Sequence, residues 1–366
     1  MKLTYHTLLS FVQSLLPSFR VTHQRNLALL ALGMAKVRDG HLTVSEVARY
    51  IPNRCAHWSK FKRIKRFLVN PHWQPADHFE CLARWILSRF ATGKYLPVII
   101  DQSSIDGRWE VLWASIPFRG RALPFAFRVF TYEAIRQDPQ GSQIKIENAF
   151  IRQVASLLPR DPVPILVLDR GYAHVDLLKL LEELELHYVV RVPKNVWVSL
   201  PDGYEGPLAG LKVLPGTLRG WRDTAYHQQE RHRVRLVVTH SFEASEPWYL
   251  VTNLGRADSA VRWYERRFRC EELFRDLKDQ LHLETIRLQH TERVARLLFG
   301  MVVLYYALTL IGAEAQKRGW RRKACKDKVS LAWMALRLLA MPCVLTTQAL
   351  SYALSRSRWS LLYESG

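Results

Sequence analysis

The spacing of apolar residues divides the chain into a helical first part, a mixed middle part and a helical last part. In residues 1–92 the apolar positions recur every three to four residues, which is the period of an α-helix. Thr43-Val-Ser-Glu46 has the pattern of a capping box and predicts a helix that reaches Tyr50. A second helix is predicted over residues 59–69, before Asn70-Pro71 ends it. Its apolar stripe consists of Phe61, Ile64 and Leu68.

The predicted helix over residues 59–69 carries cations on much of its remaining surface. These cations are Lys60, Lys62, Arg63, Lys65 and Arg66. A short helix, a turn and a basic helix form a unit that suits docking against DNA. A solvated basic surface is the competing interpretation, because such helix faces are common. The net charge of the whole chain favours contact with DNA.

Residues 93–192 have the rhythm of a mixed α/β sheet. The pattern predicts three strands, a helix, a strand, a helix and a strand, which is the order of a ribonuclease-H-like sheet. The strands are predicted over residues 95–101, 109–116, 122–132, 163–169 and 187–192, and the helices over residues 143–158 and 175–184. Residues 193–247, rich in Gly, Pro and Arg, predict a β-rich insertion. Residues 248–254 return to the core.

Residues 286–366 predict a helical and basic C-terminal region. Residues 297–311 are apolar but only about 15 residues long, and about 20 are needed to cross a bilayer. They predict a buried helix. The run 317–328 holds seven cations and one anion, which suits a solvated loop and a DNA contact equally well.

Composition favours an intracellular protein that binds an anionic polymer. The chain of 366 residues has a formal net charge of +20, which indicates nucleic acid before membrane. Its five cysteines are odd in number and show no C-x-x-C spacing, so a disulfide framework and a zinc knuckle are not expected. No convincing signal peptide opens the chain. We therefore expect a cytoplasmic protein with no membrane partner.

Two aspartates come at the predicted ends of two strands. Asp101 ends the first strand and Asp169 ends the fourth, and open α/β sheets bind ligands at the carboxyl ends of their strands. Each aspartate alone could equally be a turn or cap residue. Asp106 and Glu110 are rival acids near Asp101.

A third acid lies within a dense polar pattern, Y-x2-R-x3-E-x6-K. Its members are Tyr264, Arg267, Glu271 and Lys278. On a continuous helix, at about 100° per residue, all four share one narrow face. Glu272 points elsewhere on the same wheel, so Glu271 is preferred as the third acid. Surface ion pairing is the competing interpretation of this pattern.

Three carboxylates suit a divalent-metal site. Mg²⁺ prefers oxygen ligands, and two such ions about 3.5–4 Å apart can promote displacement at a phosphodiester. Asp101, Asp169 and Glu271 are therefore predicted to hold two Mg²⁺ ions, with Mn²⁺ as a substitute. By residue type, Arg267 can hold a phosphate with its fork, Lys278 can supply a point charge and Tyr264 can donate a hydrogen bond to a phosphate.

These motifs resemble those of bacterial insertion-sequence transposases of the DDE class that carry the Y-R-E-K signature. The residues at 264, 267, 271 and 278 match the signature at every spacing. The segments around Asp101 and Asp169 are similar to that family's first two acidic motifs, and PWYLVTNL is similar to the segment before its signature helix. FKRIKRFLVNPHW resembles part of its DNA-binding region. The likeness extends in pieces over about residues 50–300.

The resemblance implies cut-and-paste transposition. Such enzymes bind terminal inverted repeats as a dimer on paired ends, nick one strand, form and reopen a hairpin, and join the 3′ ends to target DNA. It also implies that Trp248 stacks on a flipped base, with Trp197 and Trp221 as competing candidates and a core tryptophan as the alternative. Arg191 resembles a DNA-contacting arginine of the family. The bacterial nucleoid is then the expected place of action.

We expect an α+β multidomain protein with a ribonuclease-H-like catalytic core, a mixed sheet with helices. The predicted divisions are a helical DNA-binding region (1–92), a core (93–192 and 248–285), a β-rich insertion (193–247) and a helical C-terminal region (286–366) that could dimerise. The alternatives are a catalytically inactive end-binding repressor and another ribonuclease-H-like nuclease.

Overall fold

The first part of the chain is helical, as the periodicity predicts. The computed structural model describes residues 3–37, 41–91, 93–320, 329–341 and 352–355. Five described α-helices precede the first strand: α1 Tyr5–Leu15, α2 Val21–Met34, α3 Val44–Arg49, α4 His57–Val69 and α5 Phe79–Phe90.

Helices α3 and α4 form the predicted short helix, turn and longer basic helix. The hydroxyl of Thr43 accepts a hydrogen bond from the backbone of Glu46, so the predicted cap is confirmed. The inner face of α4 differs from the prediction. Ile64, Phe67 and Leu68 are buried there, and Phe61 is only partly covered. Phe67 lies three residues after Ile64 and next to Leu68. These three side chains form a wider apolar stripe than Phe61, Ile64 and Leu68 would, so Phe67 is buried in place of Phe61.

A single ten-stranded mixed sheet forms the centre of the described molecule. Its strands are β1 Tyr95–Ile105, β2 Trp109–Phe118, β3 Arg121–Phe130, β4 Val163–Leu168, β5 His187–Arg191, β6 Trp197–Ser199, β7 Glu205–Pro207, β8 Thr217–Tyr226, β9 His232–His240 and β10 Trp248–Thr252. Their spatial order is β3-β2-β1-β4-β5-β10-β9-β8-β6-β7. Strands β1, β2 and β3 pair antiparallel, while β4 and β5 continue the sheet parallel to β1. This arrangement of β1 to β5 confirms the predicted ribonuclease-H-like core within an α+β fold.

The predicted β-rich insertion is an extension of the central sheet. Strand β10 pairs antiparallel with β5 on one side and with β9 on the other. The sheet therefore continues through the boundary that the sequence predicted at residue 192. Composition marked this segment as different, but backbone pairing is not visible in composition.

Helices cover both faces of the sheet. After β3 come α6 Tyr132–Gln137, α7 Gln143–Leu157, α8 Val175–Glu183, α9 Ala257–Glu265 and α10 Arg269–Arg275. The sequence predicted a strand up to residue 132 and missed α6. The strand ends at Phe130, and the hydroxyl of Thr131 caps the new helix by accepting from the backbone of Ala134.

The predicted signature helix changes its helical type along its length. A 3₁₀ turn at Arg266–Phe268 separates α9 from α10, and a π-helical turn at Asp276–Gln280 follows α10. Each change of helical type rotates the following residues away from the positions of an ideal 3.6-residue wheel. Residues 257–280 are nevertheless helical throughout, and the shared face of the four signature residues stays a prediction.

The long apolar helix α11 Thr291–Lys317 lies inside the described molecule, followed by α12 Leu331–Ala340. It is 27 residues long, and by length and composition it could cross a membrane, but 94% of its most apolar window is buried. The predicted buried helix is confirmed, although it is longer than expected. Most of the basic run 317–328 lies outside the described residues, as do Cys325 and Cys343. The described cysteines, Cys55, Cys81 and Cys270, are free.

Candidate active site

Two aspartates lie side by side where the parallel pairing of β1 and β4 ends. Ile100 pairs with Leu168, and Asp101 and Asp169 are the next residues. Because neighbouring strands lie about 4.8 Å apart, these carboxylates come from adjacent backbones. The prediction that Asp101 ends its strand is wrong, since β1 continues to Ile105 along β2. Asp101 marks the point where β1 separates from β4.

Strand alternation directs both carboxylates to the face that α9 and α10 cover. Val167 packs on this face together with Tyr264 of α9, and Asp169 lies two residues further along the chain. Gln102 faces the other side of the sheet, where it accepts a hydrogen bond from Gln143 of α7. Asp101 therefore shares its face with Asp169.

Arg267 connects the three predicted acids. Its Nη1 lies 2.8 Å from Oδ2 of Asp101, and its Nη2 lies 2.7 Å from Oε1 of Glu271. Its Nε lies 4.0 Å from Oδ1 of Asp169. A fork of donors suits several carboxylates at once. The structure thus brings Asp101, Asp169 and Glu271 around one guanidinium.

Solvent exposure increases across the site, from a buried base to an open rim. Arg267 and Asp101 are 5% and 8% exposed, whereas the Glu271 side chain is 51% exposed. The 3₁₀ turn places Arg267 deep against the sheet, and Glu271 is four residues later, so the pair spans one helical turn. The open side is where a polymeric substrate can approach.

Burial and charge act in opposite directions at the base of the site. Burial raises the pKa of the Asp101 carboxyl to about 6, although Arg267 acts to lower it. Burial also opposes the charge of Arg267, but the surrounding carboxylates outweigh this and raise its pKa above the ordinary value. The guanidinium therefore stays charged and holds acids that would otherwise repel one another.

Tyr264 supports the second aspartate. Its hydroxyl donates a hydrogen bond of 3.0 Å to Oδ1 of Asp169, and its ring is fully buried. Burial, with Asp169 nearby, raises the pKa of this phenol, so the hydroxyl remains a donor. In this structure Tyr264 positions Asp169, and its contact with a phosphate stays a prediction.

Lys278 lies apart from the other signature residues. It belongs to the π-helical turn, and its Nζ lies 2.6 Å from Oε1 of Glu284. The same glutamate accepts a hydrogen bond from the backbone of Asp106, at the turn between β1 and β2. Lys278 is therefore placed towards the far end of β1, beyond the carboxylates.

The rival acids are engaged elsewhere. Glu272 pairs with Arg121 of β3 at 2.8 Å and with Arg275 at 2.7 Å. Glu110 accepts a hydrogen bond from Gln102 on the opposite face of the sheet. Asp106 sits in the β1–β2 turn with a positive φ of 52°. The contacts with Arg267 thus favour Glu271 and Asp101 over their neighbours.

The three carboxylates do not form one metal-ligand group in this structure. Among the described residues, no group of three or more His, Cys, Asp or Glu side chains is close enough to hold a metal ion. The reason is geometric, because the guanidinium of Arg267 stands between the acids. The donor set itself consists of oxygen atoms only, which suits Mg²⁺ or Mn²⁺ and not a soft metal.

Trp248 borders the site from β10. Its ring lies 5.0 Å from that of Tyr264 and 5.6 Å from that of Phe268, measured between centroids. The ring is partly exposed and lines a cavity of about 280 Å³. The competing candidates lie in the insertion: Trp221 donates a hydrogen bond to Asp202, and Trp197 stacks under Arg231. Of the three, Trp248 is the one in contact with the signature.

Arg191 lines a neighbouring cavity of about 470 Å³. It forms an ion pair with Glu246, and Lys194 and Arg170 also line this cavity. Arg170 follows Asp169 directly, so this basic cavity adjoins the carboxylates. Arg170 was not predicted from the sequence, although its position directly after the second acid was a usable signal.

The predicted DNA-binding cations of α4 divide into two groups. Lys62, Lys65 and Arg66 are exposed. Lys60 donates a hydrogen bond to the backbone oxygen of Ile51, and Arg63 donates one to Asn26. The first group faces solvent, and the second also braces the helical unit.

Arg121 is a site residue that sequence reasoning missed. It pairs with Glu272 and with the buried Asp276, and thereby fixes the segment that carries Glu271 to strand β3. Tyr305 of α11 donates a further hydrogen bond to Asp276. No local pattern could reveal this, because the partners are separated by about 150 positions.

Residues 141–307 match the family model of the transposase DDE domain. The matched range contains Asp169 and the whole signature, and Asp101 lies before it. The match supports a DDE transposase, a protein of DNA transposition and recombination. A search of curated proteins found no match. The matched range thus covers the part of the sheet and helices that carries two of the three proposed acids.

Proposed function

We propose that this chain is a DNA transposase that cleaves the ends of a bacterial insertion sequence and joins them to a target. Asp101, Asp169 and Glu271 are its proposed catalytic and metal-binding residues. The observation that carries the proposal is their convergence on Arg267 beside β1 and β4, next to a transposase-domain match. Their wide separation in sequence makes a chance meeting a poor explanation.

The three acids are proposed to hold two divalent ions, Mg²⁺ or Mn²⁺. When bound, these ions supply Lewis acidity for phosphodiester cleavage and strand transfer. Asp101 is the buried ligand and Glu271 is the exposed one, so the proposed metal site extends from the sheet towards solvent. Tyr264 keeps Asp169 in place through its hydrogen bond.

When DNA binds, the Arg267 side chain is proposed to exchange its hydrogen bonds to the acids for hydrogen bonds to a DNA phosphate. Its Nε is buried and has no hydrogen-bond partner among the described residues, so the fork has donor capacity left. A phosphate accepts two parallel N–H bonds from such a fork. Lys278, further along β1, is proposed to contact the backbone beyond the cut.

Cleavage by single variants tests the acids. The substrate is a duplex from the DNA that flanks the reading frame, with Mg²⁺ or Mn²⁺. Asp101→Asn, Asp169→Asn and Glu271→Gln should lower the cleavage rate at least about a thousandfold, while DNA binding survives. Glu133→Gln, an exposed acid of α6, is the matched control and should cut at the wild-type rate. Wild-type cleavage by any of the three variants would remove that residue from the site.

Glu272→Gln decides between the two adjacent glutamates. If Glu271 is the third acid, Glu272→Gln should keep metal-dependent cleavage, with its thermal midpoint recorded because it loses the Arg121 pair. Cleavage that depends on Glu272 and not on Glu271 would reverse the assignment.

The alternative is an end-binding repressor that cannot cut. The transposase-domain match does not favour it, nor another ribonuclease-H-like nuclease, and all three acids are present. Folded wild-type protein that binds the flanking duplex but never nicks it in either metal would support the repressor.

Trp248 is proposed to stack on a base that leaves the helix during hairpin formation. Its ring is partly exposed and lies against two signature-segment rings, and aromatic stacking stabilises an unstacked base. Trp248→Ala should still nick the first strand but yield about tenfold less hairpin. Trp221→Ala is the control. Equal hairpin yield from both variants would exclude Trp248.

The proposed partners are double-stranded DNA at the transposon ends and target, and a second copy of the chain in the paired-end complex. Arg191 and the α4 cations are proposed backbone contacts, and the bacterial cytoplasm, at the nucleoid, is the proposed place of action. Binding should weaken steeply as salt rises, because phosphate contacts release counterions. A flat salt response would contradict the DNA proposal.

A further inference from the structure

The exposed face of α4 combines cations with a large aromatic side chain that takes no part in the packing of the helix against the core. Exposed side chains recur along the helix at a spacing of four, three, one and three residues, which is one face of an α-helix. They are Trp58, Lys62, Lys65, Arg66 and Val69. Residues 57–69 contain no acid, so this face is uniformly cationic around one large aromatic side chain.

Trp58 is held in place although it is 59% exposed. Its ring lies parallel to that of Phe61, with 5.0 Å between centroids and 8° between planes. The Nζ of Lys62 lies 5.3 Å from the same ring. A fixed aromatic ring loses little conformational freedom when it binds a partner.

The helical unit behind α4 is built to present this face. Arg63 donates a hydrogen bond of 2.8 Å to Asn26 of α2, and Lys60 donates one of 2.9 Å to Ile51. These bonds join α4 to the helix and the loop that precede it. The exposed stripe is therefore a rigid edge of the N-terminal bundle.

We infer that Trp58 makes an apolar contact with base edges in the major groove of duplex DNA, and so contributes to sequence recognition. Trp58 lies in the first turn of α4, and the first residues of a recognition helix are those that reach the bases. The thymine methyl group is the apolar feature of that groove. The exposed cations further along α4 bind phosphates.

Charge complementarity selects DNA as the occupant. Three exposed cations follow the ring along the helix, and phosphates flank every major groove. A membrane surface would require a broad apolar face, whereas this face has only Trp58 and Val69. This inference rests on the proposed DNA function and assigns to it a base-reading side chain.

Binding to two duplexes tests the inference. One is taken from the DNA that flanks the reading frame, and the other has the same composition in scrambled order. Trp58→Ala should bind the flanking duplex about tenfold more weakly and the scrambled duplex within about twofold of wild type. Lys65→Ala should weaken both alike and lower the salt slope by about one. The salt slope of Trp58→Ala should be unchanged.

Controls separate recognition from folding. Phe242→Ala removes another aromatic side chain, 83% exposed, and should leave both affinities unchanged. Trp58→Phe should keep part of the preference. Equal loss on both duplexes, no loss, or a lowered salt slope for Trp58→Ala would overturn the inference, as would a wild type without preference. A folded wild-type protein that binds neither duplex would instead contradict the proposed function.

Discussion

Arg267 donates a hydrogen bond of 2.8 Å to Asp101, a residue 166 positions earlier in the chain. Both side chains are nearly fully buried. The pair joins the signature segment to the strand that carries the first acid. A buried ion pair of this kind is costly to break on one side, because the remaining charge is left without a partner.

Arg267→Ala should make the stability of the protein depend on divalent metal. Without the guanidinium, Asp101 stays buried beside other acids, and the free energy of unfolding should fall by about 3 kcal/mol. Mg²⁺ should then raise the thermal midpoint of the variant more than that of the wild type, since a cation fills the same place. The control is Arg262→Ala, which removes an exposed arginine of α9. Equal metal-induced shifts in Arg267→Ala and wild type would contradict this relationship.

Asp276→Asn should weaken the contact that joins the segment carrying Glu271 to Arg121 of β3. Asp276 is 3% exposed, lies 3.0 Å from Arg121 and also accepts from Tyr305. Loss of its charge leaves Arg121 with Glu272 alone, and denaturant unfolding should show a loss of about 2 kcal/mol. Asp279→Asn, an exposed acid in the same π-helical turn, should be neutral. A neutral Asp276→Asn would show that the buried pair does not stabilise the fold.

Two glycines of α11 should differ in their response to alanine. A Cβ at Gly312 would meet the backbone oxygen of Leu331 at 2.1 Å, where α12 begins. A Cβ at Gly300 would meet the side chain of Leu30 at 2.6 Å, and a side chain can rotate. Gly312→Ala should lower the thermal midpoint clearly more than Gly300→Ala, although both gain about 1 kcal/mol in helix propensity. A smaller effect at Gly312 would show that α12 can shift without loss.

Stability should fall when the pH drops below about 6.5. Burial lowers the pKa of His78, Asp77 partly opposes this, and His23 lowers it further. The unfolded chain therefore binds the proton more readily than the folded one. The contribution of neutral His78 is present above the unfolded pKa and is lost as the pH falls.

The His78 ring packs against Phe19 and Phe299, and its Nδ1 has no hydrogen-bond partner among the described residues. Between pH 7 and pH 5.5 the unfolding free energy should therefore drop through this residue. His78→Phe should show a shallower pH dependence in thermal melts, whereas His6→Gln, an exposed histidine of α1, should follow the wild type. Identical pH profiles for His78→Phe and wild type would exclude His78 as the source.

Local patterns predicted most of the elements. The helix over residues 143–158 and the strand over residues 163–169 each came within a residue of the observed bounds, because periodic burial is written into neighbouring side chains. The predicted bounds were wrong where pairing or capping by other parts of the chain sets the end of an element. Strand β1 extends because β2 pairs with its second half, and α6 replaces a strand end because Thr131 caps it.

The sequence by itself determined which acids are candidates for the site, the spacing of the signature, the basic face of α4 and the burial of α11, because residue type and period carry that information. Only the tertiary structure decided that Arg267 joins Glu271 to Asp101, that Lys278 pairs with Glu284, and that the insertion continues the central sheet. These relationships depend on strand register, on helical turns that depart from 3.6 residues, and on partners such as Arg121 far away in sequence. None of these leaves a mark on the local pattern of residues.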